Sequence, residues 1–324
     1  MHPPTLPTLS RRALICAALA PLLAPVRAAT FPDRPLHLVI PAPPGGVQDV
    51  QGRRIAPRWG DALGQPVIVD NRPGATGSIA LEYTARAPAD GYTMLLGAVN
   101  MTILPHLTKV SWDPLRDFAA VSRYTSGPLI LVAHPGVPVE TATGLADHAR
   151  REGGLKIGGF GTGSLAHLTA LEIGKAVGAP VTHIPYAGGA QQLTDLLSGQ
   201  LPLLLDYATV LLPQLRAGKA KALGVAGERR STALPEVPTL EEQGLAVRAT
   251  AWQGILVPAA TPPGVVRTLH AGFVKALADP ELRAFLLANG SEIGGDTPEA
   301  FGAFIRAEYA RWSRVIAENG VRLQ

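Results

Sequence analysis

Residues 36–49 read LHLVIPAPPGGVQD, and this stretch decides how the chain folds. Leu36, Leu38, Val39 and Ile40 form a short apolar, β-branched run bounded by prolines, the pattern of a buried strand. The run breaks at Pro41-Ala42-Pro43-Pro44-Gly45-Gly46, and a helical pattern starts at Val47. A strand, an elbow rich in proline and glycine, and a helix N-terminus point several unpaired backbone N–H groups at one spot. Such a spot favours an anion, and paired glycines let a ligand approach the backbone closely. A plain βα turn would use the same residues. A second strand–glycine–helix elbow at 156–168 tips the reading towards binding.

Downstream of the first elbow, Val47, Val50, Ala56, Trp59 and Leu63 recur at helical spacing, with Pro57 expected to kink the helix and Gly64 to end it. Strands at 67–69 and 92–96 alternate with a helix over 78–86, which predicts βαβ units on a parallel sheet. The third strand runs into Gly97 at the sheet end that carries the first elbow, where open α/β sheets bind ligands. Ser126-Gly127-Pro128 reads as a break, after which a strand from Leu129 opens a second lobe. There a strand runs into the elbow Gly159-Phe160-Gly161-Thr162-Gly163-Ser164, and a helix covers 165–177. Another strand leads to Pro185-Tyr186-Ala187-Gly188-Gly189, and a buried strand over 201–206 ends in Asp206. A strand over 252–257 would cross back. The expected domains are 29–127 with 255–324, and 128–254 between them.

The chain has 324 residues, 47% hydrophobic and 17% charged, enough for two globular α/β domains. Residues 1–28 read as an export signal: Arg11-Arg12, a short apolar stretch, then Val26-Arg27-Ala28, with cleavage expected after Ala28. Either a Sec or a twin-arginine route fits. Without that segment the 29 basic residues become 26 against 25 acidic ones, about +1. The cations are scattered, so no nucleic-acid footprint is expected. The single cysteine, Cys16, leaves with the signal, so no disulfides are expected, and no acid, His or Cys cluster has metal-site spacing. No cofactor is called for.

Five motifs then coincide in order: Pro41 to Gly46, Asp70-Asn71-Arg72-Pro73-Gly74-Ala75, Asp90-Gly91-Tyr92-Thr93, His183-Ile184-Pro185-Tyr186, and Leu234-Pro235-Glu236-Val237-Pro238-Thr239. Together they resemble the Bug-type (TctC-like) substrate-binding proteins of tripartite tricarboxylate transporters, across the whole mature chain. The resemblance implies a two-lobed periplasmic clamp of type II (Venus-flytrap) topology, each lobe a mainly parallel sheet flanked by helices. It also implies capture of a small carboxylate by backbone amides and water at the two elbows, and delivery to inner-membrane permease subunits by a monomer. This chain departs from the family at Ala42 (usually Phe), at Gly159-Phe160 (usually Ser-Ala) and at Ala187 (often Lys).

Ligand contacts are expected from Ala42, Pro44, Gly45, Gly46 and Val47 at the first elbow, and from Gly97. At the second elbow they are expected from Phe160, Gly161, Thr162, Gly163, Ser164 and His167, with Tyr186 and Asp206 beside them. Thr162 and Ser164 would donate hydroxyl hydrogen bonds to a carboxylate, although Ser164 fits an N-cap equally well. Phe160 would exclude bulky tricarboxylates. Asp49 is expected to balance the helix dipole, and Asp70-Asn71-Arg72 to form a structural turn. Two alternatives remain open: the extracytoplasmic input of a two-component sensor, or a hydrolase using Ser164, His167 and Asp206. The last lacks the second glycine of a nucleophile elbow.

Overall fold

The computed structural model describes residues 31–186 and 189–322. The export segment with Cys16, and Ala187 with Gly188, lie outside the described residues. β1 (Leu36–Ile40) pairs in parallel with β2 (Val67–Asn71) on one side and β3 (Thr93–Ala98) on the other. The crossovers carry α1 (Val47–Leu63), which runs unbroken through Pro57, and α2 (Ser78–Ala85). Beyond β3 come β9 (Thr250–Pro258) and then β4 (Phe118–Ala133), each antiparallel to its neighbour. The order β2-β1-β3-β9-β4 thus holds one reversed strand among parallel ones.

The second half repeats this plan. β5 (Leu155–Phe160), β6 (Val181–Tyr186), β7 (Leu203–Tyr207) and β8 (Lys221–Val225) gather around residues 129–133 of β4 in the order β6-β5-β7-β4-β8, again with one strand reversed. α3 (Asn100–Ile103) follows β3, and α4 (Leu145–Glu152) leads into β5. α5 (Leu165–Val177), α6 (Gly189–Leu197) and α7 (Ala208–Arg216) follow β5, β6 and β7. The chain returns to the first sheet for α8 (Pro263–Leu277), α9 (Pro280–Ala288) and α10 (Pro298–Asn319). Asp279 and Thr297 cap the last two by accepting from Leu282 N and Ala300 N. The architecture is two-lobed α/β with one topology used twice. Among the described residues no helix is long and apolar enough to cross a membrane.

Both faces of each sheet are covered, which explains runs such as Leu38-Val39-Ile40 and Leu203-Leu204-Leu205 that are apolar on both faces. Leu38 and Ile40 pack on Trp59 and Phe273 on one face of the first sheet, while Val39 between them faces a cluster with Leu95, Phe301 and Trp312. In the second sheet Ile130, Val132 and Leu204 face α7, and Leu129, Leu131 and Leu203 face the opposite side.

One expectation needs correction. Residues 126–128 are no break, because β4 is one 16-residue strand that leaves the first sheet and enters the second. Pro128 is tolerated because it forms the last pair of the β4–β9 ladder, where its missing N–H interrupts nothing. The chain returns to the first sheet at Ala249–Thr250. Ala249 N donates to Ala226 O in the second half, whereas Ala251 to Gly254 ladder with Gly127 to Arg123 in the first. Gly97, expected at the ligand, is closely packed. It sits opposite Gly254 between β3 and β9, and a Cβ there would stand 2.4 Å from Leu256 Cδ1.

A Cβ on Gly254 would lie 2.2 Å from Phe301 Cζ and 3.0 Å from Ser122 O. Gly254→Ala is expected to lower stability by about 1–3 kcal/mol in urea unfolding. Unchanged stability would show that the Phe301 ring has room to retreat.

Candidate functional site

The first elbow is held from behind. Asn71, at the end of β2, donates from Nδ2 to Ala42 O at 3.0 Å and to Asp49 Oδ1 at 2.9 Å, and its Oδ1 accepts from Arg53 at 2.9 Å. Asp49 Oδ2 accepts from Gly45 N at 2.8 Å, and Arg53 Nε reaches Asp49 Oδ1 at 2.9 Å. These bonds, first that from Gly45, hold the Asp49 carboxyl below its ordinary pKa. Gly45 takes φ +83°, which the turn needs and a side chain would resist. Gly46 caps α1 without a side-chain bond, and the first helical bond runs from Val50 N to Gly46 O. The N–H groups of Val47, Gln48 and Asp49 therefore lie outside the helix ladder. Asp49 thus has Gly45, Arg53 and Asn71 as partners and positions the elbow.

At the second elbow β5 extends through Phe160. Ser164 caps α5: its Oγ accepts from His167 N at 3.2 Å and donates to Phe160 O at 2.8 Å. His167 Nδ1 accepts from Gly163 N at 3.0 Å, and its ring stacks on His183 at 4.4 Å. Burial, then the neighbouring His183, pushes the His167 pKa down to about 4, and burial lowers that of His183 as well. The hydroxyl proton of Ser164 is thus committed to the backbone. Gly161 and Thr162 remain exposed at the elbow tip.

Between the two halves lies a cleft of about 480 Å³, within the range of small-molecule sites. Gly45, Val47, Gln48, Val50 and Gln51 of the first elbow and α1 line one wall, with Ala98 to Asn100 after β3. Residues 125–128 of β4 and 251–253 of β9 form the floor. Tyr207, Ala208 and Thr209 at the start of α7 lie opposite, with the end of α9. Among the described residues no acidic or basic side chain lines this space.

Of the expected contacts, the structure brings Gly45 and Val47 to the cleft. Ala42, Pro44 and Gly46 shape the turn behind them. Phe160 stands beside the wall, its ring 6.0 Å from that of Tyr207. Tyr186 is turned away, donating to Asp195 at 2.8 Å. Asp206 has no exposed surface: it accepts from Gln192 Nε2 at 2.6 Å and from Tyr207 N at 2.7 Å, and burial raises its pKa to about 6. No hydrogen bond joins the side chains of Ser164, His167 and Asp206, so the hydrolase arrangement is not assembled. Sequence reasoning missed Gln48, Gln51, Asn100, Trp252 and Gln253. The helical register of α1 placed both glutamines one turn from the elbow and could have flagged them.

Residues 52–321 match the family model described as Tripartite tricarboxylate transporter family receptor. The chain belongs to this family. It is a solute-binding receptor by membership. Protein BugT of Bordetella pertussis is 34% identical over 318 residues, covering 96% of this chain and 97% of that one. A TctC solute-binding protein from Polaromonas, solved without ligand, has a TM-score of 0.82 at 31% identity and covers 89% of this chain and 100% of its own. MatC from Rhodopseudomonas palustris with bound malate has a TM-score of 0.70 at 28% identity, covering 88% of this chain and 100% of its own. An R. palustris protein with adipate reaches 0.74 at 31%, with 90% and 99% covered.

Asn71→Ala should free Ala42 O and loosen the elbow. The expected loss is about 1–3 kcal/mol in urea unfolding, with ligand affinity falling more steeply than stability alone implies. Acidification offers a second check. Between pH 6.5 and about 4 the unfolded chain takes up a proton that folded His167 refuses, so stability falls as pH drops through that window. Since the ring is part-exposed, roughly 1 kcal/mol is expected. Asp206 acts oppositely: between pH 3.8 and about 6 it keeps a proton the unfolded chain has lost, so stability falls as pH rises. Asp206→Asn should therefore steepen the loss of stability on acidification, measured by urea unfolding from pH 7 to 4.5. An unaltered pH profile would contradict this assignment.

Proposed function

We propose that this receptor captures a small carboxylate in the 480 Å³ cleft and delivers it, as a periplasmic monomer, to the permease subunits of a tripartite transporter. The observation that carries this reading is the uncapped N-terminus of α1 on the cleft wall. Its free N–H groups and helix dipole favour an anion. The nearby Asp49 does not cancel that field, because Arg53 pairs with it at 2.9 Å. The relatives solved with adipate and malate support a carboxylate as the captured group. Residues 1–28 would be removed on export, leaving Ala29 first.

The two sheets are the two lobes, joined where β4 passes Pro128-Leu129 and where the chain returns at Ala249-Thr250. Closure about these crossings would bring Gly161 and Thr162 at the exposed second elbow towards the ligand. The unassembled Ser164, His167 and Asp206 favour binding without turnover.

A thermal-shift screen of the protein from Ala29 against mono-, di- and tricarboxylates tests the reading. A ligand at a hundredfold excess over its dissociation constant stabilises the folded state by about 2.7 kcal/mol. The hit should remain unconsumed and should reduce the radius of gyration in solution scattering. Consumption of the hit, or binding without compaction, would contradict it.

A further inference from the structure

Two helices of more than one turn begin on this cleft, α1 at Val47 and α7 at Ala208, and they are not equally open to an anion. At α1 the charge of Asp49 is offset by Arg53 at 2.9 Å, and the elbow in front of it carries Gly45 and Gly46. At α7 both approaches are taken. Behind its start, buried Asp206 accepts from Tyr207 N at 2.7 Å and from Gln192 Nε2 at 2.6 Å, with no cation among these partners. In front, the chain leaving α9 lies against it: a Cβ on Gly290 would stand 3.1 Å from Ala208 Cβ and 3.5 Å from Thr209 N. The carbonyl end of α9 meets the cleft at Asn289, Gly290 and Ser291, and a helix is electronegative at that end. A second anionic group on this wall would face Asp206 and the α9 terminus, and among the described residues no cationic side chain lines the cleft to offset them.

The walls between these ends offer apolar surface. Val47 is 71% exposed and Val50 38%, and both line the cleft. They stand three residues apart on α1 and so share one helical face. Arg54 extends that row, and its guanidinium lies over the ring of Phe285 at 4.6 Å, which sets a third apolar lining side chain at the end of the row. Tyr207 lies on the opposite wall, its ring 6.0 Å from that of Phe160. Covering these side chains with an apolar group removes their surface from water, which is favourable in proportion to the area.

We propose that the cleft selects a ligand with a single carboxylate, held at the α1 elbow, and an uncharged apolar body lying between Val47, Val50 and Phe285 on one wall and Tyr207 on the other. The selection rests on the carboxylate-receptor reading above and sharpens it to monocarboxylates over dicarboxylates of the same length. It sets this chain apart from the relatives solved with malate and with adipate. The discrimination is made against the second charge, which finds no partner at the α7 end.

The test titrates the protein from Ala29 with linear monocarboxylates of four to eight carbons and with the dicarboxylate of each length, followed calorimetrically. Each added methylene should tighten the monocarboxylates about fourfold, the gain for burying one CH₂. At equal length the dicarboxylate should be at least tenfold weaker. Val50→Thr keeps the side-chain volume but adds a hydroxyl, and should weaken the eight-carbon acid at least threefold more than the four-carbon acid. Dicarboxylates binding as tightly as monocarboxylates of their length would overturn the proposal and leave the carboxylate receptor standing. So would an affinity that does not rise with chain length. An equal loss for short and long acids in Val50→Thr would overturn the place given to the apolar body. Binding of no acid in either series would overturn both readings.

Discussion

The carboxylate of Asp49 is the interaction on which the site depends. It ties Gly45 N in the elbow to Arg53 one turn along α1 and to Asn71 at the tip of the neighbouring strand. Three backbone segments are thereby fixed relative to one another by one buried group. An aspartate in a first helical turn ordinarily weakens the anion-attracting end of its own helix. Here Arg53 offsets its charge, so the elbow keeps its geometry and its electropositive end together. The loop can then be made of prolines and glycines that contribute no binding side chains.

The wider frame serves this elbow. β4 belongs to both sheets, and β9 pairs along the whole of its first part, so the floor of the cleft is built from the same strands that join the lobes. Residues 125–128 and 251–253 sit on that floor, next to the crossings. On the far side the lobes are linked by α10, where Arg311 reaches Glu172 of α5 and Lys175 pairs with Glu318 at 2.6 Å.

Much of the fold was legible because buried parallel strands carry apolar residues on both faces and are separated by glycine and proline elbows. Residues 38–40 and 203–205 show this pattern. The β4 strand was not legible: Ser126-Gly127-Pro128 has the composition of a turn, and only the partner β9, more than a hundred residues away, holds it extended. The site divided along the same line. Local backbone signals at Gly45 and Val47 identified one wall. The roles of Ser164, Tyr186 and Asp206 depended on partners that short-range pattern cannot reveal, namely Phe160 O, Asp195 and Gln192. Gln51 and Gln253 line one cleft only after β9 returns to the first sheet.

Hydrogen–deuterium exchange at the first elbow tests the central claim most directly. With saturating carboxylate, the amides of Val47, Gln48 and Asp49, which stand outside the helix ladder, should exchange markedly more slowly, and Tyr207 to Thr209 across the cleft should follow. Unchanged exchange at Val47 to Asp49 under saturation would mean that the ligand is held elsewhere and that the elbow is only a turn.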